Sequence, residues 1–325
     1  MKKKEQGFDT IALHGGYTPD TDATYGIGYG APRGVPLYRT TPFVFRDTEH
    51  AANLFSLKEL GNIYSRLMNP TTHVLESRYA QLEGGHPLSG LAVSSGTSAI
   101  FYAIINLAKA GDNIVSSNAL YGGTYTQFND ILPSLGVEVR FVDAEDPTNF
   151  AAAADENTRA FFCESCSNPA LQICDLDVIS ASAHELGLPL IVDSTFSTPY
   201  LCRPFDHGAD IIVSSLTKWV GGHGVCLGGI IVDGGKFNWK GGHHPMYDTP
   251  DKSYGGMVSK ISYHTCILST RERSGVIDNV HFQLCHLLNA RILQYCIWQI
   301  ENVHSLIIVS CFCNDQLLSF LSHNL

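Results

Sequence analysis

Charge is scarce in this 325-residue chain: Asp, Glu, Lys and Arg make up 16% of it, against 44% hydrophobic residues. Basic residues are the scarcer sign, 21 against 31 acidic ones, which leaves a net charge of −10. A nucleic-acid surface needs clustered Lys and Arg to meet phosphates, and the single basic run, Lys2–Lys3–Lys4, reads as a solvated N-terminus. No nucleic-acid partner is expected. Missing too is any apolar run long enough to cross a bilayer, and the basic start leads into Glu5, Gln6 and Asp9 instead of an apolar stretch. Neither a membrane partner nor a secretory leader is expected, and the cytoplasm is the compartment assigned. The ten cysteines lack zinc-ribbon spacing, since Cys163-Glu-Ser-Cys166 fits C-x-x-C but no second pair follows it. Reduced, mostly buried thiols and no metal are the expectation. What remains is an ordinary globular composition, long enough for one large or two moderate domains.

Residues 1–60 read as an irregular N-terminal arm, rich in Gly, Pro and Thr. Its glycine-rich loop, Tyr25–Gly34, follows no strand that would make it a phosphate cradle. Helical spacing (Ala51, Leu54, Phe55, Lys58) covers Asp47–Leu60 and stops at Gly61. Pro70 marks a loop, after which a helix of roughly Thr72–Glu83 ends at Gly84–Gly85. Strands are then expected at Leu91–Ser94, Asn113–Ser117, Val137–Asp143, Ala160–Cys163, Leu188–Val192 and Ala209–Val213, with one more within 225–235. Helices are expected between them, up to Ala108 and over Asp177–Leu186. This alternation argues for a doubly wound α/β domain, bounded here at 61–257. The tail, 258–325, stops following the pattern. From Ile261 onward it has no proline, no lysine and one glycine, Gly275, yet five of the ten cysteines. Only His281–Leu317 there has helical character.

Ligands of open α/β sheets sit at the carboxyl ends of the strands. Three polar groups fall there: Asp193, the run Ser214-Ser215-Leu216-Thr217-Lys218, and Ser95-Gly96-Thr97 at a helix start. Helix-start N–H groups make an anion site, and Gly96 lets a ligand approach closely. Taken singly, each has a bland explanation as a cap or a surface charge. Together they match one need: a lysine for a Schiff base, an acid for a pyridine nitrogen and donors for a phosphate. Those are the requirements of pyridoxal phosphate.

The segments GNIYSRLMNPTTHVLE (61–76), SSGTSAI (94–100), YGGTY (121–125), LPLIVDSTFSTPYLCRP (188–204), HGADIIVSSLTKWVGGHG (207–224) and GGIIVDGGKFNW (228–239) carry a family resemblance. The chain resembles the Cys/Met-metabolism family of pyridoxal-phosphate enzymes over about residues 8–257, and within it most resembles the O-acetylhomoserine sulfhydrylase branch. The resemblance implies fold type I: a large domain with a mostly parallel seven-stranded sheet between helices, followed by a small domain. It implies Lys218 as covalent anchor and proton shuttle, Asp193 as partner of the ring nitrogen, and Tyr121 stacked on the ring. Gly96, Thr97, Ser215 and Thr217 would hold the phosphate, and Asn168 would sit near the ring hydroxyl. Tyr64 and Arg66 would reach the phosphate of a neighbouring subunit, making a homodimer or, doubled, a homotetramer with shared sites. The implied substrates are O-acetylhomoserine and sulfide, and the product is homocysteine; a cystathionine γ-synthase or methionine γ-lyase is the nearest rival. One departure stands out. The family's small domain supplies a serine loop and an arginine that clamps the substrate carboxylate, and Arg271, Arg273 and Arg291 have no matching context. The small domain is therefore expected to be incomplete, and the chain to hold cofactor with weak turnover.

Overall fold

The computed structural model describes residues 6–19, 32–56, 58–59, 61–239, 243–247 and 249. The strands are β1 (Gly90–Val93), β2 (Asn113–Ser117), β3 (Glu138–Val142), β4 (Thr158–Glu164), β5 (Leu190–Asp193), β6 (Ile211–Ser215) and β7 (Gly229–Asp233). They form one seven-stranded sheet in the order β1-β7-β6-β5-β4-β2-β3. Five strands, β6-β5-β4-β2-β3, run parallel, while β7 is antiparallel to both β6 and β1. The reason lies in the connections. A parallel partner needs a crossover to bring the chain back to the starting edge, and the segment between β6 and β7 contains no helix to make one.

The apolar runs form strands because both faces of the sheet are covered. Val115, Phe161, Val192 and Ile212 point into one core with Ile179 and Ala183 of the helix Leu176–Glu185. Their neighbours Ile114, Phe162, Ile191 and Ile211 point into the other, with Ile100 and Ile104 of the helix Gly96–Ile105. Helix bounds follow caps more than periodicity. The helix Pro70–Leu82 begins two residues earlier than spacing predicts, because Asn69 accepts from the Thr71 amide at 2.9 Å and proline suits the first helical position. In the arm, Asp47 caps the helix Thr48–Phe55, which is shorter than the expected Asp47–Leu60. The arm is not irregular throughout. The helix Phe8–His14 docks on the large domain, where Arg78 Nε donates to the Gly15 carbonyl at 2.9 Å and Phe8 meets Tyr200 edge-on at 5.3 Å. Most of the glycine-rich loop and the whole 258–325 tail, with Arg271, Arg273, Arg291 and the 281–317 stretch, lie outside the described residues. Among the described residues no helix is long and apolar enough to cross a membrane.

One buried group gives the fold a pH dependence. His244, 3% exposed, donates from Nε2 to the Arg159 carbonyl at 2.9 Å. Burial pulls its pKa down from 6.5 to about 4. Between those values the unfolded chain takes up a proton that the folded chain refuses, so stability is full above pH 6.5 and falls as pH drops toward 4. The slope is about 1.4 kcal/mol per pH unit, or about 3 kcal/mol over the window. Urea unfolding from pH 7 to pH 4 is expected to show this loss, and His244→Gln to remove that component of it.

Candidate active site

The sheet delivers its loops to one edge. Gly229 pairs with Val93 on one side and with Ser215 on the other, and Asp193 pairs with Glu164. The loops leaving β1, β2, β4, β5 and β6 therefore emerge together. Where β1 ends, Ser95 caps the helix Gly96–Ile105 by accepting from the Ser98 amide at 3.1 Å. That helix start is pressed onto the sheet: a Cβ on Gly96 would lie 2.6 Å from Ser215 Cβ, and one on Gly229 would lie 2.0 Å from the Ser95 carbonyl oxygen. The cradle exists because two side chains are missing. Gly229→Ala is expected to push the Ser95 turn outward, at about 1–3 kcal/mol of stability, and to weaken any phosphate site at Thr97. Thermal unfolding and a pyridoxal phosphate titration check this, with Gly34→Ala, which meets nothing within 4 Å, as the neutral comparison.

Ser215 is where the pieces meet. Its amide donates to Thr195 Oγ1 at 2.8 Å, and that hydroxyl donates to Asp193 Oδ1 at 2.5 Å. The Thr195 amide adds a bond to the same carboxylate oxygen at 2.9 Å. Burial raises the pKa of Asp193 above the ordinary carboxyl value, and the Thr195 bonds oppose that rise. The Ser215 carbonyl accepts the Lys218 amide at 3.3 Å, which sets a tight turn with Lys218 exposed on it. Thr217, expected among the phosphate donors, also ties the neighbouring loop. Its hydroxyl donates to the Gly228 carbonyl at 3.2 Å and accepts the Gly228 amide at 3.0 Å, closing the loop between β6 and β7. Thr195 and Glu164 escaped the sequence reading, although an Asp two residues before a Thr is a local turn signal that points to the first of them.

Glu164, at the end of β4, is 5% exposed. Its Oε1 accepts the Tyr121 amide at 2.7 Å and its Oε2 the Asn168 amide at 3.2 Å. Burial first, then the Asp193 charge, push its pKa up to about 8. The half-exposed Tyr121 ring lies over Gly123, where a Cβ would sit 2.6 Å from Tyr121 Cε1. Tyr64 and Arg66 stand on a separate segment, stitched to residues 38–43 through Ser65, Asn69 and the Pro42–Tyr64 bridge. Among the described residues neither bonds to the strand-end group. The Arg66 guanidinium sits 5.7 Å from the Tyr64 ring centroid, and its buried Nη1 has no hydrogen-bond partner among the described residues. A buried cationic donor left unpaired is costly unless an anion reaches it.

The donor set fits pyridoxal phosphate. It offers the Gly96 helix start for the phosphate, an exposed lysine on the turn bonded to Ser215, and a carboxylate of raised pKa joined to the same Ser215 through Thr195. No group of three or more His, Cys, Asp or Glu placed to hold a metal occurs among the described residues.

The chain is 52% identical over 249 residues to O-acetyl-L-homoserine sulfhydrylase of Leptospira meyeri, covering 77% of this chain and 54% of that protein. It is 49% identical over 261 residues to homocysteine synthase of Schizosaccharomyces pombe, covering 79% and 59%. The chain thus spans between half and two thirds of the length of these curated relatives. A crystal structure from Campylobacter jejuni, in which a lysine carries a pyridoxyl monophosphate group, superposes with a TM-score of 0.80 at 36% identity over 94% of this chain and 71% of that one. The model of the family described as Cys/Met metabolism PLP-dependent enzymes matches residues 9–269, extending past the limit at residue 257 read from the motifs. The chain belongs to the Cys/Met metabolism family of pyridoxal-phosphate-dependent enzymes.

Proposed function

We propose that the protein catalyses γ-replacement on O-acetyl-L-homoserine: sulfide takes the place of acetate at Cγ, giving L-homocysteine and acetate. The names of its relatives support the substrate class. The single observation that carries the reading is the meeting at Ser215 of the Gly96 helix start, the Thr195–Asp193 pair and the Lys218 turn. Those relatives do not favour the rival reading of a catalytically weak subunit or a lyase.

Pyridoxal phosphate, when bound, supplies a ring that withdraws electrons from the substrate's α-carbon. The rest is the work of the chain. Lys218 would hold the cofactor through Nζ and, when free of it, would take and return protons at the substrate's carbons. Asp193 keeps the ring nitrogen protonated, because a carboxylate in a dry site gains most from a cation beside it. The Gly96 and Thr97 amides with the Ser215 and Thr217 hydroxyls would take the phosphate, and Thr217 also closes their loop through Gly228. Tyr121 would cover the ring face and Asn168 would meet the ring hydroxyl. Tyr64 and Arg66 serve the site of a second copy, a reading supported by the unpartnered Arg66 Nη1. On this reading the protein is a homodimer or a homotetramer of dimers. A cytoplasmic setting belongs to the same reading.

The purified chain, loaded with pyridoxal phosphate, is expected to convert O-acetylhomoserine and sulfide to equal amounts of homocysteine and acetate. Faster formation of cystathionine with cysteine, or of 2-oxobutanoate with no nucleophile, would overturn the assignment.

A further inference from the structure

Glu164 is a buried acid that the proposed chemistry leaves idle, yet it lies among the residues given roles. It is the strand partner of Asp193, and its two oxygens accept one amide each from the loops after β2 and β4. Those amides belong to Tyr121 and Asn168, the residues assigned to the face and the hydroxyl of the cofactor ring. Two loops far apart in sequence, at residues 121 and 168, are thus pinned to one carboxyl group on a rigid strand. The Tyr121 ring has a second constraint, the bare backbone of Gly123 beneath it. Glu164 thus holds the Tyr121 amide while the ring lies against Gly123. We propose that Glu164 is a positioning residue that clamps Tyr121 and Asn168 in the geometry the cofactor ring requires.

The inference rests on the roles proposed above for those two residues, but the clamp itself is a property of the chain. Leaving both amides without their acceptor in this part-buried site is unfavourable. Glu164→Ala removes both acceptors. In Glu164→Gln the shape persists, one oxygen still accepts, and the –NH2 group faces the other amide donor to donor.

Residue-resolved hydrogen exchange on the full chain without cofactor reads the clamp directly. In Glu164→Ala, exchange at the Tyr121 and Asn168 amides is expected to rise at least about 10-fold while the interiors of β4 and β5 stay protected. In Glu164→Gln only one of the two amides is expected to rise. Titration with pyridoxal 5′-phosphate should then show binding weakened about 10- to 100-fold in Glu164→Ala, with a smaller visible circular dichroism signal per bound cofactor, and an intermediate result for Glu164→Gln. Unchanged exchange at both amides, or a rise spread evenly over β4 and β5, overturns the clamp. If Glu164→Ala does not fold, the isosteric Glu164→Gln decides by the same two amides. A wild-type chain that takes up no pyridoxal phosphate would sink the functional reading, while the exchange comparison without cofactor still tests the clamp.

Discussion

Lys218→Ala is expected to lose covalent capture of pyridoxal phosphate completely and to lower turnover by at least about 10³-fold, the range associated with removing a positioned acid–base group. The fold should be untouched. Lys218 is exposed, and its backbone bonds, from its amide to Ser215 and from the Gly222 amide to its carbonyl, do not depend on the side chain. Borohydride reduction followed by peptide mapping gives the cleanest measurement: the wild-type chain should carry a pyridoxyl group at Lys218, and the variant none. Lys218→Arg should fail in the same way, since a guanidinium keeps the charge but does not release its proton. A visible adduct that survives in Lys218→Ala would show that another amine holds the cofactor, and the assignment built on Ser215 would fall with it.

The second large effect is on stability. Phe162, with no exposed surface, points from β4 into the core and meets Phe128 edge-to-face at 4.9 Å. Phe162→Ala is expected to cost about 3–5 kcal/mol, because the aromatic pair is lost and the close-packed sheet relaxes only in part around the cavity. Urea midpoints at constant slope would measure it, with Val44→Ala, 96% exposed in the wild type, expected within about 0.5 kcal/mol of wild type. The consequence reaches the site, because Phe162 lies two residues before Glu164 on the same strand. Loosening β4 should weaken pyridoxal phosphate binding before global unfolding is complete.

Much of this was legible in the order of residues. The runs Ile114–Val115, Phe161–Phe162, Ile191–Val192 and Ile211–Val213 are apolar without alternation, which marks strands covered on both faces. Asn113–Ser117 came out with the bounds expected of it, and β4, β5 and β6 end later than expected because polar Glu164, Asp193 and Ser215 are still held in the ladder. The lysine, the acid and the capped glycine could be picked out because each follows a strand, and the carboxyl edge of a parallel sheet is where ligands bind. Short helices such as Phe8–His14 left no clear mark, since seven residues are too few for periodicity to outweigh composition.

The order of residues therefore determined the strands, their common edge and the chemical types gathered there, because hydrophobic runs and strand-end polar groups are local properties. Which of those polar groups remain available was decided only by folding. Thr217 and Thr195 are equivalent hydroxyls in the sequence. Register hands the first to Gly228 and sets the second between Asp193 and the Ser215 amide. Glu164 looks like any strand-end acid until the β2 loop brings the Tyr121 amide within 2.7 Å of it. Arg66 looks like a surface charge until packing buries its Nη1 without a partner. Hydrogen bonds are satisfied by whatever chain segment tertiary packing brings near, and sequence spacing carries no record of that competition.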